Sequence, residues 1–445
     1  MLKKTNLFLS LCLGLTLAVG FSTAEAKEPL KLKVAEVKTQ PTEHWSEERL
    51  RALAPELEKK EVDVGRLGQQ IQMANDTKAV ELKADFVRQE NQEHQVTLTA
   101  EEKKKDTFTL SANNTGNEYT GDWRMGFTYQ NHDFTGNADT LGLAFVTSPG
   151  HWEEVKQVGA VYKANLPRVG DSIYATYSWS DVDLGDIGNF GGIDVSATGK
   201  GENAGLHYQH NFKYSQAHKQ ILDVGVDYKH YDNTTVYDTA GAVINDGISY
   251  DLPMASVSYA DIHRSNKEFA AWSVGYSANI SSGGDLTRNR ANSDKHFHLW
   301  KASVNYQRRL AHDWIVGMRG SAQYTTQNIV TTEQFGAGGI STVRGFKERA
   351  AYADKGYMAS LEVYTPEIGK GSRFVVFTDY ARVLNNEANP GEIDSGNIGS
   401  YGIGYRFSDK KSGIALSIDY AHAYTNMEKA KNNLRPWHVM LSVSF

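Results

Sequence analysis

Apolar and polar residues alternate through most of this chain. Leu222, Val224, Val226 and Tyr228 interleave with Asp223, Gly225, Asp227 and Lys229, and Ile414, Leu416, Ile418 and Tyr420 interleave with Ala415, Ser417, Asp419 and Ala421. The last residues repeat the pattern, with Trp437, Val439, Leu441, Val443 and Phe445 set against His438, Met440, Ser442 and Ser444. Successive side chains of a strand point to opposite faces, so each segment has one greasy face and one polar or small face. Such segments are predicted at 106–113, 120–131, 138–149, 155–167, 171–183, 196–213, 220–233, 254–264, 267–280, 296–310, 314–327, 356–368, 372–384, 396–408, 412–426 and 436–445. Most of them exceed the roughly 9–11 residues with which a tilted strand crosses a bilayer.

The connections sort by length. Those at 167–171, 264–267, 310–314, 368–372 and 408–412 are tight, whereas the opposite set includes the long stretches 233–254, 281–296 and 328–356. A soluble sandwich has no reason to alternate its loops in this way, and a membrane barrel does. Lipid offers no hydrogen-bond partners, so the sheet must close on itself. Trp123, Trp152, Trp272, Trp300, Trp314 and Trp437 fall near strand ends, as interfacial girdles require, although simple packing explains any one of them as well.

The first hundred residues differ. Between Lys27 and Lys105 the only aromatic residues are Trp45 and Phe86. Leu32, Val34 and Val37 read as a strand, and Ser46-Glu47-Glu48 opens a helix with the stripe Leu50, Leu53 and Leu57. Val64, Leu67, Ile71 and Ala74 recur at helical spacing, and 79–87 and 95–99 alternate as two strands. Strand, helix, helix, strand, strand is the order of a small periplasmic POTRA module, which the segment resembles. The predicted fold class is all-β: a 16-stranded transmembrane β-barrel over 106–445, preceded by one small α/β POTRA domain over 27–105.

Residues 1–26 read as a signal peptide: Lys3 and Lys4, an apolar stretch from Leu7 to Phe21, then Ala24-Glu25-Ala26. Cys12, the only cysteine, lies in that stretch, which excludes disulfides and thiolate chemistry from the mature chain. The formal charge of -6 argues against broad binding to nucleic acid. Neither Gly-x-Ser-x-Gly nor His-Glu-x-x-His occurs, so no enzyme and no cofactor are implied. Asp181, Asp183 and Asp186 resemble part of a calcium loop, but Gly192 stands where the bidentate glutamate belongs, and no metal is expected there.

The loop 328–355 carries the most specific signal. It contains Glu333-Gln334-Phe335, Gly338-Gly339 and Val343-Arg344-Gly345-Phe346, and Asp354-Lys355-Gly356-Tyr357 leads into a strand with Glu362. A phosphate-cradle reading fails because no Gly-Lys-Ser/Thr follows the glycines. On the next strand Phe377 and Asp379 are spaced as phenylalanine-x-aspartate. These motifs, in this order, resemble the two-partner secretion transporters (TpsB), the ShlB/FhaC/HecB-type hemolysin secretion/activation proteins of the POTRA-barrel superfamily. The resemblance implies a loop folded back into the lumen with Arg344 meeting Asp379. The alternation on 375–380 independently puts Asp379 on one face with Val375 and Phe377, and a carboxylate belongs on the lumenal face. The terminal Phe445 resembles the assembly signal of outer-membrane barrels.

The family usually carries two POTRA modules and a plug helix, whereas only one module fits before residue 106. The implied function is an outer-membrane pore that translocates an unfolded exoprotein, a hemolysin- or adhesin-like client, from the periplasm to the cell surface of a diderm bacterium. Its implied partners are the secreted polypeptide, outer-membrane lipid, the barrel-assembly machinery and periplasmic chaperones, with no nucleic acid. The competing readings are an outer-membrane insertase and a diffusion porin or receptor.

Overall fold

A computed structural model describes residues 30–117, 120–181, 185–190, 193–197, 200–232, 236–237, 243–245 and 249–445. The expected signal peptide at 1–26, and Asp183 and Gly192 of the calcium-like stretch, lie outside the described residues.

The amino-terminal unit comprises β1 (Lys31–Gln40), α1 (Glu47–Leu53), β2 (Glu61–Asp63), α2 (Val64–Asp76), β3 (Val80–Arg88) and β4 (His94–Glu102). Ser46 starts α1 by accepting the Arg49 N–H, and Asp63 starts α2 by accepting from Gly65 and Arg66. These oxygens satisfy donors that a helix start leaves without partners, and losing either costs about 1 kcal/mol. The strands pair in the order β2-β1-β4-β3, with β1 and β4 parallel. Trp45, Leu50, Leu67, Leu82, Val96 and Leu98 are buried in its core, and each such side chain contributes about 1.5–3 kcal/mol when removed from water. Leu57, expected on the stripe of the first helix, is buried from a separate 3-10 turn at Pro55–Glu58. Pro55 has no N–H with which to continue α1.

Sixteen strands then close into one barrel. They are β5 (Asp106–Asn113), β6 (Arg124–Asn131), β7 (Thr140–Thr147), β8 (Lys156–Leu166), β9 (Asp171–Ser180), β10 (Gly201–Tyr214), β11 (His218–Asp232) and β12 (Ser249–Arg264). The second half holds β13 (Glu268–Asn279), β14 (His298–Arg309), β15 (Ile315–Tyr324), β16 (Lys355–Tyr364), β17 (Ser372–Leu384), β18 (Ser395–Asp409), β19 (Ile414–Thr425) and β20 (Trp437–Ser444). Each pairs antiparallel with its sequence neighbours, and β20 pairs with β5 to close the sheet. All sixteen expected segments appear in order, with shifted ends. β12 starts at Ser249 rather than 254 because its ladder with β11 continues upward through Tyr231↔Tyr250. β15 stops at Tyr324 rather than 327 because the Thr325 hydroxyl accepts the Gln327 N–H and turns the chain.

Leu206, Val224, Val226, Val376, Tyr401 and Ile403 are exposed on the outside of the wall, each 49% or more. Val375, Phe377 and Asp379, of opposite parity to Val376, are buried on the inside. A continuous apolar outer face of this size needs a nonaqueous medium. The six tryptophans are exposed; Trp123 and Trp314 stand one residue before their strands and Trp152 lies in a connection.

The amino-terminal unit meets the barrel at its short-turn end. Arg49 and Lys105 both pair with buried Asp133, at 2.8 and 2.9 Å. Gln69 donates to the Gly170 carbonyl and Gln70 to that of Pro167, and Lys219 on β11 reaches Asp76 at the end of α2.

Candidate functional site in the barrel lumen

The long connection between β15 and β16 turns inward. Residues 335–337 pair with 351–353 as a short antiparallel ribbon, and Gly345-Phe346 pairs with Leu434-Arg435. Gly345 has φ 93°, and a Cβ there would stand 3.0 Å from Ala423 Cβ and 3.2 Å from Ala421 Cβ. The loop backbone therefore lies directly against β19, and only glycine fits. Gly338 and Gly339 also have positive φ, at 111° and 109°. Val343 and Phe346 are fully buried among Ala381, Val383, Ile398 and Met427. This apolar packing anchors the residues on either side of Arg344.

Arg344 is 1% exposed and uses its whole fork. Its Nε and Nη2 donate to the two oxygens of Asp379 at 2.8 Å each, and its backbone N–H donates to Asp379 Oδ2 at 3.1 Å. Nη1 donates to Glu362 at 2.7 Å, and the guanidinium carbon lies 3.5 Å from the Phe377 ring centroid. Asp419 approaches Nη1 to 3.7 Å and pairs with Arg406 at 2.8 Å, while Arg319 stands 3.6 Å from Glu362. Three guanidiniums thus face three carboxylates. A buried charge is tolerable only when paired and bonded in this way. Burial alone would lower the Arg344 pKa, but Asp379, Glu362 and Asp419 outweigh it and raise the net value.

At the loop root, Glu333 is held by Lys229 of β11 at 2.6 Å and by the Tyr231 hydroxyl at 3.1 Å. Burial would raise its pKa, but the charges of Lys229 and Lys301 and these two bonds hold it down at about 2. Gln334 donates to Asp354 and Asn385, and Phe335 packs at the edge of the apolar cluster.

Arg290 joins three connections at the long-loop end. Its Nη1 donates to Asp354 Oδ1 at 2.6 Å and to the Ile329 carbonyl at 3.0 Å, and its Nε and Nη2 grip Glu392 at 2.9 Å each. Beside it, Tyr250, Leu252, Leu286, Phe297, Ile329 and Val330 form a buried apolar cluster. A cavity of ≈ 1640 Å³ remains in the lumen alongside the loop, lined among others by Arg124, Asp227, Lys229, Ser303 and Glu333.

The expected pair Arg344 and Asp379 is therefore in contact, and Val343, Gly345, Phe346 and Phe377 surround it. Glu333, Gln334 and Phe335 sit at the loop root, away from the arginine. Phe445 lies at the seam, exchanging two backbone hydrogen bonds with Phe108 at 2.9 and 3.0 Å. Ser360, whose hydroxyl accepts from Arg344 Nη2 at 3.3 Å, His438, whose Nε2 accepts from the Gly345 N–H, Asp419 and Arg290 belong to the site without any sequence motif marking them, and Glu362 has a partner that its motif does not name. The parity of β19 places Asp419 inward, which was the one available signal for it.

Residues 92–407 match the family model of the haemolysin secretion/activation protein ShlB/FhaC/HecB. The chain belongs to this family. It is 21% identical over 352 residues to the heme/hemopexin transporter protein HuxB of Haemophilus influenzae (strain 86-028NP), covering 73% of this chain and 57% of that relative. The chain thus spans just over half the length of the curated relative that it matches. Among solved structures, CdiB from Escherichia coli superposes with a TM-score of 0.73 at 17% identity, over 93% of this chain and 76% of that one. BamA from Haemophilus ducreyi lacking POTRA domains 1-3 gives 0.60 at 13% identity, over 93% and 85%. With the apolar outer wall, family membership makes this ShlB-type chain an outer-membrane barrel protein.

Proposed function

We propose that this chain is a pore that carries an unfolded exoprotein, of the hemolysin or adhesin kind, across the outer membrane from the periplasm to the cell surface. The single observation that carries this reading is Arg344 clamped inside the barrel by Asp379 and Glu362. A lumen occupied by a bonded loop is a device for conditional passage, whereas a diffusion porin has no use for it. The insertase reading draws only on the fold likeness to BamA.

In this reading the amino-terminal unit is one POTRA module in the periplasm, since it docks on the short turns and those turns face the periplasm in such barrels. Its sheet order leaves β3 paired on one side only among the described strands. A client strand adds there through main-chain hydrogen bonds, which demand little of its sequence. The loop carrying Arg344 then shifts, the client threads the lumen, and folding outside supplies direction. Periplasmic chaperones and the barrel-assembly machinery deliver and insert the chain itself, with Phe445 as the terminal signal.

The test is site-specific photo-crosslinking from Ser303, on the cavity wall, and from Lys83, on β3, in cells making an exoprotein whose secretion requires this chain. Adducts to that exoprotein at both positions are expected. Cells that secrete it normally yet give no lumenal adduct would refute passage through this barrel.

A further inference from the structure

The outer wall of the barrel holds a second polar cluster, far from the arginine loop and at the rim next to the amino-terminal unit. His218 opens β11, and Asp261 and His263 close β12; the two strands are neighbours with His218↔His263 and Gln220↔Asp261 in register. Their side chains share the parity of Val224, Val226 and Val257, which face outward. Nε2 of His218 lies 3.2 Å from Asp261 Oδ1, and Nε2 of His263 lies 3.0 Å from the same oxygen. The two imidazoles stack with centroids 3.8 Å apart, so both Nε2 atoms converge on one side of the carboxylate.

We propose that His218, Asp261 and His263 bind a divalent first-row transition ion, zinc being the simplest occupant. The three donor atoms lie within 4.8 Å of one another. In a tetrahedral zinc site, metal–ligand bonds of about 2.0–2.2 Å put neighbouring donors roughly 3.3 Å apart, and both nitrogen–oxygen separations here are close to that edge. Two imidazoles and a carboxylate are the donor set such ions favour over magnesium or calcium. The carboxylate is also oriented from behind: Gln220 Nε2 donates to Asp261 Oδ2 at 3.0 Å, and Oδ1 is the oxygen that both histidines reach, with His218 Nε2 also 3.3 Å from Oδ2. Such outer bonds fix ligands in functioning metal sites. Asp261 is buried while the His263 side chain is 58% exposed, which gives an ion a route from solution and leaves the remaining position to water. No sequence spacing announces the site, because 43 residues separate His218 from Asp261. An ion here ties the β10–β11 hairpin to the β12–β13 hairpin, beside the Lys219–Asp76 contact that joins barrel and amino-terminal unit.

The test uses the full untagged chain in detergent, stripped with chelator and titrated with zinc chloride by calorimetry, and with cobalt(II) by visible absorption. The wild type should bind one zinc per chain at this site and give the intense cobalt bands of a tetrahedral complex. His263→Ala should weaken zinc binding at least tenfold and remove the cobalt bands, and His218→Gln should do the same. Both variants are compared at matched amounts of barrel that retains heat-modifiable gel mobility; if His218→Gln does not fold, the exposed His263→Ala decides alone. The proposal is overturned if His263→Ala binds zinc with wild-type stoichiometry and affinity, or if equimolar magnesium displaces the zinc; in either case the histidines are simple hydrogen-bond partners of Asp261.

Discussion

The backbone N–H of Gly345 donates to Nε2 of His438 at 2.9 Å, inside the barrel and out of reach of water. His438 stands on β20, the strand that closes the sheet against β5. The arginine loop is thereby tied to β16 through Glu362, to β17 through Asp379 and to β20 through His438. A loop fastened to three strands near the closure seam leaves the lumen only when several bonds are exchanged together, for example against those of a passing chain.

The seam bond can be cut alone. His438→Ala leaves the Gly345 N–H buried without its acceptor, at a cost of about 1–3 kcal/mol. Because Arg344 keeps its carboxylates, the barrel should assemble normally while brief loop openings become more frequent. Single-channel recording should show more frequent opening at unchanged heat-modifiability; a quiet channel would mean that this bond holds nothing.

The Arg344 clamp behaves as one unit. Arg344→Ala leaves buried Asp379 without its guanidinium, while Glu362 keeps Arg319 and the Tyr364 hydroxyl, and breaking one side of a buried pair costs about 3–5 kcal/mol. Exoprotein secretion should fall several-fold in Arg344→Ala and in Asp379→Ala, and the double variant should be no worse than the worse single, since the second change removes a partner already lost. Defects that add in the double variant would show that the two residues act separately.

The alternation made the barrel legible, since a lipid-facing wall forces period two on every strand; it gave strand number, order and the inward face of Asp379. Strand ends were less legible because they depend on contacts such as the Thr325 turn and the Tyr231↔Tyr250 extension. Arg344 and Asp379 were legible as family motifs. Asp419 and His438 were not, because a lone inward carboxylate or imidazole has no local signature, and the loop residues they meet, Arg344 for Asp419 and Gly345 for His438, lie far away along the chain. Arg290 was hidden for the same reason, being defined only by the meeting of three loops.

Acid should loosen the loop root. The Glu333 carboxyl is depressed to about 2 from an ordinary 4.5. A group depressed in the folded state contributes stability that is full above about 4.5 and is lost as pH falls toward about 2. Loop opening should therefore rise over that window in the wild type. Glu333→Gln should open more at neutral pH and lose this acid response, as recorded by conductance in planar bilayers.

Phe445 closes the ladder with Phe108 through two backbone bonds and a ring stack with centroids 5.9 Å apart. Deleting it removes both bonds at the seam together with the proposed terminal signal, so inserted barrel should drop severalfold and unassembled chain should collect in the periplasm. Phe445→Tyr, which keeps both, should insert at the wild-type level. Fractionation and gel mobility would report both outcomes.

Arg290 offers a clamp independent of Arg344. Its guanidinium bonds both Asp354, at the end of the arginine loop, and Glu392, on the connection between β17 and β18, as well as the Ile329 carbonyl. Removing it leaves Asp354 buried, though still bonded by the N–H groups of Ile329 and Asn386, so the loss should be felt as loosened outer loops rather than a failed barrel. Arg290→Ala should increase conductance and make the 280–297 and 385–394 connections sensitive to protease on intact cells. Arg290→Lys should be nearly as open, because an ammonium lacks the fork that grips Glu392 and Asp354 at once. The arginines share no partner, so the effects of Arg290→Ala and Arg344→Ala on open probability, expressed as free energies, should add. Strong non-additivity would instead mean that the loop root and its tip move as a single rigid piece.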